Sequence, residues 1–373
     1  MITPAKRRTR PPDYMLVGLT LVLLCAGLIM MGSASAILAD RQMHDPFYFL
    51  KRQALFAVIG LGLMSALSRF DYNRLRRWVW PALAATAVLL VVVLCLPPSA
   101  GVRRWIRLGP LRLQPAEFAK LAVLLFIADY ADRRNSRLTS AFYGLVVPMS
   151  LVCVILGLIG LEPDLGTPAL ICVVSIALLF TGGSKPLHIL ASLLPLLAVV
   201  AEEVWRKPYR WARFCSFLRP FEQAQGAGYQ LAQSLIAVGS GGWLGKGLGS
   251  SQIKLLFLPA AHTDFIFPIL CEELGLLGGS ALLALFVAFL ARGLKVARNA
   301  PNLFGTLLAA GITLMIVLQA YFNMAMAIGL IPTKGIPLPF FSYGGSSLWA
   351  TLCSVGILLN ISRQADMRTT TRT

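Results

Sequence analysis

The sequence predicts an all-α polytopic membrane protein with about ten transmembrane helices and a long extracytoplasmic loop between helices 7 and 8. Three observations lead to this fold class. First, 57% of the 373 residues are hydrophobic and only 13% are charged, whereas soluble domains contain about 25% charged residues. Second, the apolar residues form long runs, most of them about long enough to cross a hydrocarbon core of ~30 Å. Third, the runs lack the alternating pattern of an outer-membrane strand.

Each predicted helix corresponds to one apolar run, and the whole chain, 1–373, is expected to form a single membrane domain. The fourth and sixth runs are short for a membrane span. The seventh is followed by a long polar loop at 205–264, and short cytoplasmic tails at 1–13 and 363–373 flank the helices. The ten runs cover 14–38, 50–68, 78–96, 117–131, 142–161, 167–181, 186–204, 265–291, 304–331 and 345–361.

The basic residues predict the orientation of the helices. With the N-terminus in the cytoplasm, 18 of the 34 Lys and Arg residues fall in cytoplasmic tails and short loops, as the positive-inside rule prefers. An even number of spans then leaves both termini in the cytoplasm. The net charge of +18 therefore reflects membrane topology and anionic lipid. It does not indicate nucleic-acid binding, because the chain has no soluble basic domain.

Positive charge also accumulates on the predicted outer face, against the same rule. Twelve basic residues lie in two outer segments, 101–120 and 205–262. An anionic ligand bound at this face is the economical explanation, and contacts with lipid headgroups are the alternative. We therefore expect the functional site on the outer face.

The cysteines and histidines give no sign of a metal centre. The seven cysteines are scattered without a CxxC pair, and the three histidines, His44, His188 and His262, are far apart. This distribution predicts neither a disulfide framework nor a zinc site. No firm cofactor is predicted, and a divalent cation is left open.

The stretch PAAHTDFIF places His262, Thr263 and Asp264 where the long polar loop meets the eighth apolar run. Two more carboxylates, Glu272 and Glu273, follow just inside that predicted helix. An acid at a membrane surface is unfavourable unless it is paired or functional. Asp264 is therefore the main candidate for a catalytic residue.

Two other outer segments contain candidate residues. In RRWIRLGPLRLQPAEFAK, Glu117 and Lys120 are three residues apart and so share one face of a starting helix. They form either an ordinary ion pair at the helix start or a charged pair that lines an outer cavity. In EPDLGTP, prolines and a glycine break the helix between the fifth and sixth spans, and such backbone lines a cavity or is buried in protein. Glu162 and Asp164 are therefore candidates to face a hydrated cleft.

The glycine-rich stretch GSGGWLGKGLGSS, at 239–251, does not match a nucleotide-binding loop. Ser240 and Gly247 stand where a Walker motif needs a glycine and a hydroxyl residue. We expect a flexible loop, and contact of its amides with a phosphate is an open alternative. The last outer loop, PTKGIPLPFFSYGGSS, is expected to form a rigid non-helical lip, with a plain turn as the alternative. It follows Asn323, a polar residue inside the ninth span that can hydrogen-bond a neighbour.

Five motifs, in this order, resemble those of the SEDS (shape, elongation, division and sporulation) family: QPAEFAK, EPDLGT, GAGYQLAQSLIAVGSGG, PAAHTDFIF and PTKGIPLPFFSYGGSS. The similarity covers nearly the whole chain. PTKGIPLPF looks more like the division branch, FtsW, or its sporulation relative, SpoVE, than the rod-elongation branch, RodA. The resemblance implies ten transmembrane helices and a peptidoglycan glycosyltransferase that polymerises lipid II. It also implies a class B penicillin-binding protein, the transpeptidase, as partner, and the bacterial cytoplasmic membrane as location, at the division septum.

The same resemblance assigns site residues. The family's catalytic aspartate corresponds to Asp264, and charged positions important in the family correspond to Arg104, Glu117, Lys120 and Asp164. Two departures from the family pattern are present: Ala260 replaces the usual glutamate of PEAHTDF, and the GVRRW segment before Arg104 is shorter than usual. The candidate substrate-binding residues are Arg104, Trp105, Glu117, Lys120, Glu162, Asp164, His262, Thr263, Lys334 and Ser342.

The chemistry of glycan polymerisation agrees with this assignment. We expect Asp264 to deprotonate the acceptor 4-hydroxyl in a single inverting displacement, while Arg104 and Lys120 receive the departing lipid diphosphate. A flippase or transporter for the lipid-linked precursor and a non-catalytic division scaffold are the alternatives. The sequence leaves open the oligomeric state, whether activity requires the partner, and whether the role is in division, sporulation or elongation.

Overall fold

The computed structural model describes residues 11–98, 103–109, 111–162, 164–188, 190–191, 202, 205–206, 208–222, 226, 228–251 and 263–365. This part of the chain contains eleven α-helices and one two-stranded sheet. The helices are α1 (Tyr14–Met43), α2 (Tyr48–Arg69), α3 (Val79–Cys95), α4 (Pro115–Arg133), α5 (Val147–Leu161), α6 (Gly166–Thr181), α7 (Pro208–Leu218), α8 (Tyr229–Ser240), α9 (Ile266–Arg298), α10 (Leu303–Ala327) and α11 (Gly345–Arg363). A 3₁₀ turn, Tyr72–Trp78, leads into α3, and a π-helical turn, Phe142–Val146, leads into α5.

The predicted all-α membrane fold is confirmed. Seven helical segments of the described chain are long and apolar enough to cross a membrane: Tyr14–Met43, Tyr48–Arg69, Tyr72–Cys95, Phe142–Leu161, Ile266–Arg298, Leu303–Ala327 and Gly345–Arg363. Helices α4 and α6 coincide with the two runs that the sequence shows to be short. The predicted seventh span, 186–204, lies largely outside the described residues.

Helices α10 and α11 form the centre of the bundle together with α4. In α10 and α11, 78% of the most apolar stretch of each helix is buried inside the protein. The corresponding share is 22% for the segment Tyr72–Cys95, which contains α3. Close packing of α11 on α2 depends on glycines: a β-carbon at Gly60 would lie 2.4 Å from Leu352 Cδ1, and one at Gly356 would lie 2.7 Å from the Met64 carbonyl oxygen. Packing drives the association of membrane helices, and small residues favour it because they let the two backbones approach closely.

The end of the bundle at which α5 ends and α6, α9 and α11 begin is called the site end. At the opposite end, polar side chains connect the helices. Arg292 of α9 donates to both carboxylate oxygens of Asp13, at 3.0 and 2.8 Å, and Arg76 forms an ion pair with Asp132 at 2.5 Å. The Asn360 side chain accepts from the amide of Tyr72 at 3.0 Å. These acids are therefore occupied in holding the fold.

Two features of the site end differ from the predicted simple loops. The segment between the third and fourth spans forms a β-hairpin, in which β1 (Ile106–Leu108) pairs antiparallel with β2 (Leu111–Leu113). Gly109 permits the tight connection, because its φ of 61° is one that residues with a side chain rarely adopt. The described part of the long loop at 205–264 contains two short helices, α7 and α8, and α8 packs against α9.

Helix α9 is broken at Gly275, whose φ of 67° and ψ of −166° are not helical. The glycine-rich segment, 239–251, fills the break and supplies partners for backbone groups on both sides of it. The four hydrogen bonds run from Leu276 N to Gly242 O (2.9 Å), from Leu277 N to Trp243 O (3.2 Å), from Lys246 N to Glu272 O (3.0 Å) and from Gly247 N to Glu273 O (3.0 Å).

The glycine-rich segment is thus a structural insert. The open alternative that its amides contact a phosphate does not hold for the amides of Lys246 and Gly247, since α9 carbonyls accept from both. A side-chain ion pair reinforces the contact between the glycine-rich segment and α9, with Lys246 Nζ 2.8 Å from Glu272 Oε1. The next glutamate, Glu273, is bound by α1, since Ser33 Oγ donates to Glu273 Oε1 at 2.6 Å. Glu272 and Glu273 are therefore both bound within the protein.

Candidate active site

Asp264 lies at the site end, directly before α9, as the sequence predicts. Its side chain is half-buried, and so is that of Thr263. The two main-chain carbonyls at this point are each held by a side chain from elsewhere in the fold. Asn323 Nδ2 of α10 donates to the Asp264 carbonyl oxygen at 2.8 Å, and Ser342 Oγ donates to the Thr263 carbonyl oxygen. The segment that presents the carboxylate is therefore fixed on both sides of the Thr263–Asp264 peptide.

Arg104 is brought to the same place. Its Nε donates to the Glu162 carbonyl oxygen at 2.8 Å, which anchors the guanidinium at the end of α5. A β-carbon built on Gly335 would lie 3.1 Å from Asp264 Oδ2 and 3.8 Å from Arg104 Nη1. A cation and an acid, 160 positions apart in the sequence, thus border the same exposed glycine.

Glu162 has an unusual environment. Its side chain is fully buried, and neither carboxylate oxygen has a hydrogen-bond partner in the described part of the chain. Burial and, to a smaller extent, the neighbouring charge of Asp164 raise the pKa of this carboxyl group from 4.5 to about 8, against an opposing effect of Arg104. An unpaired buried carboxyl group is held in its neutral form. Burial therefore favours the protonated form of Glu162, beside Arg104.

Asp164 serves the start of α6. Its Oδ1 accepts from the amides of Gly166 and Thr167 at 3.0 and 3.2 Å, and its Oδ2 accepts from Thr167 Oγ1 at 2.9 Å. The first amides of a helix have no partner within the helix, so a carboxylate here stabilises the helix start. The structure gives Asp164 a capping role and buries it to 4% exposure.

Glu117 and Lys120 form a buried ion pair at the start of α4, with 2.8 Å between Lys120 Nζ and Glu117 Oε2. Lys120 Nζ also donates to Gln319 Oε1 at 2.6 Å. Relative exposures of 1% for Glu117 and 7% for Lys120 place the pair inside the bundle. The helix-start ion pair is therefore present, and the same two residues also line a small cavity together with Leu121, Ile312 and Gln319.

The last loop, 328–344, forms one wall of the site. Ser342 Oγ accepts from the amide of Leu338 at 2.7 Å, so its hydroxyl closes the loop as well as holding Thr263. Lys334 is half-buried and its amide donates to Met326 Sδ at 3.0 Å. The loop is therefore built into the fold, as expected for a rigid lip.

The remaining candidates are placed as follows. Trp105 is half-buried next to Arg104, immediately before β1. His262 and Ala260 lie outside the described residues. Sequence reasoning noted Asn323 only as a possible donor and missed Gln319 and Gly335. The available signal was the spacing of Gln319 and Asn323, two amides four residues apart in an otherwise apolar helix.

Within the described residues, no three His, Cys, Asp or Glu side chains are grouped so that they could hold an ion. A divalent cation stays a prediction that rests on the sequence alone.

Comparison with known proteins agrees with this geometry. The family model FTSW_RODA_SPOVE, described as cell cycle protein, matches residues 14–367. Stage V sporulation protein E of Bacillus subtilis is 43% identical over 357 residues, 94% of this chain and 97% of the relative. A protein of Geobacter sp. (strain M18), named probable peptidoglycan glycosyltransferase FtsW, is 39% identical over 360 residues, 95% of this chain and 98% of the relative.

Solved structures show the same fold. A chain of a peptidoglycan synthase complex, described in terms of the structural coordination of polymerization and crosslinking, superposes with a TM-score of 0.79. It is 31% identical, and the match covers 94% of this chain and 98% of that one. The rod shape determining protein RodA of Thermus thermophilus superposes with a TM-score of 0.69 at 29% identity, over 95% of this chain and 97% of that one. This multi-pass membrane protein thus belongs to the FtsW/RodA/SpoVE family of cell cycle proteins, the SEDS family.

Proposed function

We propose that the protein is a peptidoglycan glycosyltransferase that polymerises lipid II into β-1,4-linked glycan strands at the outer face of the cytoplasmic membrane. The observation that carries this proposal is the meeting of Asp264 and Arg104 at Gly335. Relatives about 40% identical over most of the chain carry the name probable peptidoglycan glycosyltransferase. A half-buried acid beside an anchored arginine is the pair of groups that such a reaction needs.

The proposed reaction is one displacement. The 4-hydroxyl oxygen of an acceptor sugar forms a bond to the anomeric carbon of the donor, and the bond from that carbon to the diphosphate oxygen breaks. The hydroxyl proton passes to the Asp264 carboxylate, which acts as general base. The electron pair leaves with the polyprenyl diphosphate, whose negative charge Arg104 stabilises. Attack from the face opposite the leaving group inverts the configuration, so an α-linked donor gives a β-linked product.

The roles of the other candidates follow from their contacts. Arg104 is the cation assigned to the diphosphate, because Lys120 is buried and bound to Glu117 and Gln319. Trp105, Thr263 and Lys334 are half-buried beside Arg104, beside Asp264 and beside Gly335 respectively, so they are proposed to contact the sugar or diphosphate. His262 is proposed for the same role on sequence grounds.

Location and partner complete the proposal. The site end is proposed to face the outer surface, with both termini in the cytoplasm, because 18 of the 34 basic residues then lie inside. A class B penicillin-binding protein is the proposed partner, supported by the similarity to a chain of a synthase complex that coordinates polymerization and crosslinking. A role in cell division is proposed, and similarity to a sporulation protein makes sporulation the competing role.

Purified protein supplied with labelled lipid II tests the activity. Wild-type protein should produce polymer, and Asp264→Asn should slow polymerisation about 10²–10⁴-fold, the usual contribution of a general base. Transport of labelled lipid II across vesicles without polymer would instead establish a flippase. Neither polymer nor transport, with or without the transpeptidase, would indicate a scaffold. An Asp264→Asn variant that folds and polymerises at the wild-type rate would refute the assigned base.

A further inference from the structure

Two amide side chains on α10 bind the last loop. Gln319 and Asn323 are four residues apart, so they lie on the same face of the helix, one turn apart. Gln319 Nε2 donates to the Pro337 carbonyl oxygen at 2.8 Å, and Asn323 Nδ2 donates to the Ile336 carbonyl oxygen at 2.7 Å. Successive carbonyls of the loop are therefore held by successive turns of the central helix.

Asn323 makes a second bond from the same nitrogen. Nδ2 also donates to the Asp264 carbonyl oxygen, at 2.8 Å, so one NH₂ group joins the loop to the segment that carries the acid. Both neighbours are acceptors, and therefore the nitrogen must face them. The Asn323 Oδ1 atom consequently points away, and it is buried with no hydrogen-bond partner in the part of the chain that the structure describes.

The two bonded carbonyls have a direct relation to the site. Ile336 follows Gly335, the residue against which Asp264 Oδ2 and Arg104 Nη1 lie. One nitrogen binds both the Ile336 and the Asp264 carbonyls. It therefore limits the distance between Gly335, in the loop that forms one wall of the site (the Gly335 wall), and the Asp264 carboxylate. Ser342, by holding the Thr263 carbonyl, limits rotation of the same segment.

We propose that Asn323 is a positioning residue that sets the separation between Asp264 and the Gly335 wall, and that Gln319 connects this clamp to the buried Glu117–Lys120 pair. The expected effect on kcat rests on the proposed function. The expected effect on the position of Asp264 rests on the hydrogen bonds alone. Lys120 Nζ donates to Gln319 Oε1, so polar contacts are continuous from Glu117 through Lys120, Gln319 and the loop to Asn323. Lys120 then affects the reaction through the position of the acid, without touching the substrate.

Near-isosteric replacement of Asn323 tests the clamp. Asn323→Asp replaces the NH₂ group by an oxygen that faces two carbonyls, and Asn323→Leu removes all polar atoms. Either variant should lower kcat for lipid II polymerisation about 10²-fold, the size of effect known for misplacement of a reacting group by about 1 Å. The KM should change less than about twofold. Thr313→Val is the matched control. Thr313 is buried on the same helix, but in the described part of the chain its hydroxyl bonds only the Ala309 carbonyl of its own helix, so kcat should be unchanged.

A double-mutant cycle separates positioning from general damage. If Asn323 acts through Asp264, then Asn323→Asp should cause no further loss in an Asp264→Asn background, because the carboxylate is already absent. Multiplied losses would overturn the proposal. A KM increase that accounts for the whole loss of kcat/KM would also overturn it, because it would indicate a substrate contact.

Hydrogen exchange measured by mass spectrometry supplies a readout that needs no activity. Asn323→Asp should increase amide exchange in the segments 263–269 and 334–339, and Thr313→Val should not. Unchanged exchange in both segments would refute the clamp even if activity fell. If Asn323→Asp does not fold, Asn323→Gln carries the same tests, since it keeps both donors but displaces them by one methylene. Failure of the proposed function would be recognised separately. In that case the wild-type protein would make no polymer, while Asn323→Asp would still increase amide exchange in the two segments.

Discussion

Arg104 reaches across the site end to the last residue before the α5–α6 turn, where its Nε bonds the main chain of Glu162 at 2.8 Å. The guanidinium is thus oriented by a backbone group, and Nη1 is left near Gly335. Glu162 contributes a carbonyl to this arrangement, while its own carboxyl group is buried beside the arginine. The two residues therefore combine an oriented cation with a buried carboxyl group whose pKa is raised.

Replacement of Arg104 by lysine should impair the reaction although the charge is kept. A lysine has no Nε to bond the Glu162 carbonyl and cannot present a planar fork to a diphosphate. We expect kcat/KM to fall about 10- to 100-fold and inhibition by polyprenyl diphosphate to weaken. Arg103→Lys is the matched control, because Arg103 is exposed and, among the described residues, bonds only the Leu94 carbonyl, at 3.0 Å. Equal effects at 103 and 104 would contradict the assigned role.

Glu162→Gln should stabilise the protein in a pH-dependent manner. The pKa of Glu162 is raised from 4.5 to about 8, so between these values the folded protein holds a proton that the unfolded chain releases. Stability contributed by this group therefore falls as pH rises from 4.5 to about 8. In detergent, Glu162→Gln should raise the thermal midpoint at pH 8 by several degrees and leave it nearly unchanged at pH 4.5. A lower midpoint for the variant at pH 8 would show that the carboxylate is ionised and paired.

A methyl group at Gly335 should obstruct the site. The added carbon of Gly335→Ala would lie 3.1 Å from Asp264 Oδ2, which is closer than ordinary van der Waals contact, so the acid must shift. We expect kcat to fall about tenfold or more with little change in thermal stability. Gly344→Ala in the same loop is the control, because its added carbon would lie 3.8 Å from Ser347 Cβ. Full activity of Gly335→Ala would mean that this wall does not border the reacting groups.

The buried pair of α4 should behave as a unit in stability measurements. Lys120→Met leaves Glu117 unpaired in the bundle, and loss of one partner of a buried pair typically destabilises by about 3–5 kcal/mol. The double replacement Glu117→Gln with Lys120→Met should recover much of this loss, measured as the thermal midpoint in detergent. Additive losses would instead show that Glu117 and Lys120 do not stabilise the fold as a pair.

Hydropathy predicted most of the fold but little of the site. The apolar runs begin within five residues of the starts of α5, α6, α9, α10 and α11. They do so because a helix that crosses the hydrocarbon core needs about 20 consecutive apolar residues. Asp264 and Arg104 could each be nominated as site residues, from charge and from the family resemblance. Their meeting at Gly335 could not, because it depends on how helices far apart in sequence pack.

Other differences have the same physical cause. Asp164 and Lys120 look alike as charged outer candidates, yet one caps α6 and the other is buried in an ion pair. The glycine-rich segment gave no local sign of its partner, since the groups that it bonds become available only where α9 breaks at Gly275. Backbone hydrogen bonds between distant segments leave no pattern in a single sequence.

The break at Gly275 also has a consequence for how the protein is made. Translation proceeds from the N-terminus, so the glycine-rich segment leaves the ribosome before α9. When α9 enters the membrane, the four backbone groups left open by its break find partners that have already been synthesised, instead of meeting hydrocarbon unpaired. A circular permutant that produced α9 first would have to insert an incomplete helix. The order of synthesis is in this way matched to the completion of the helix.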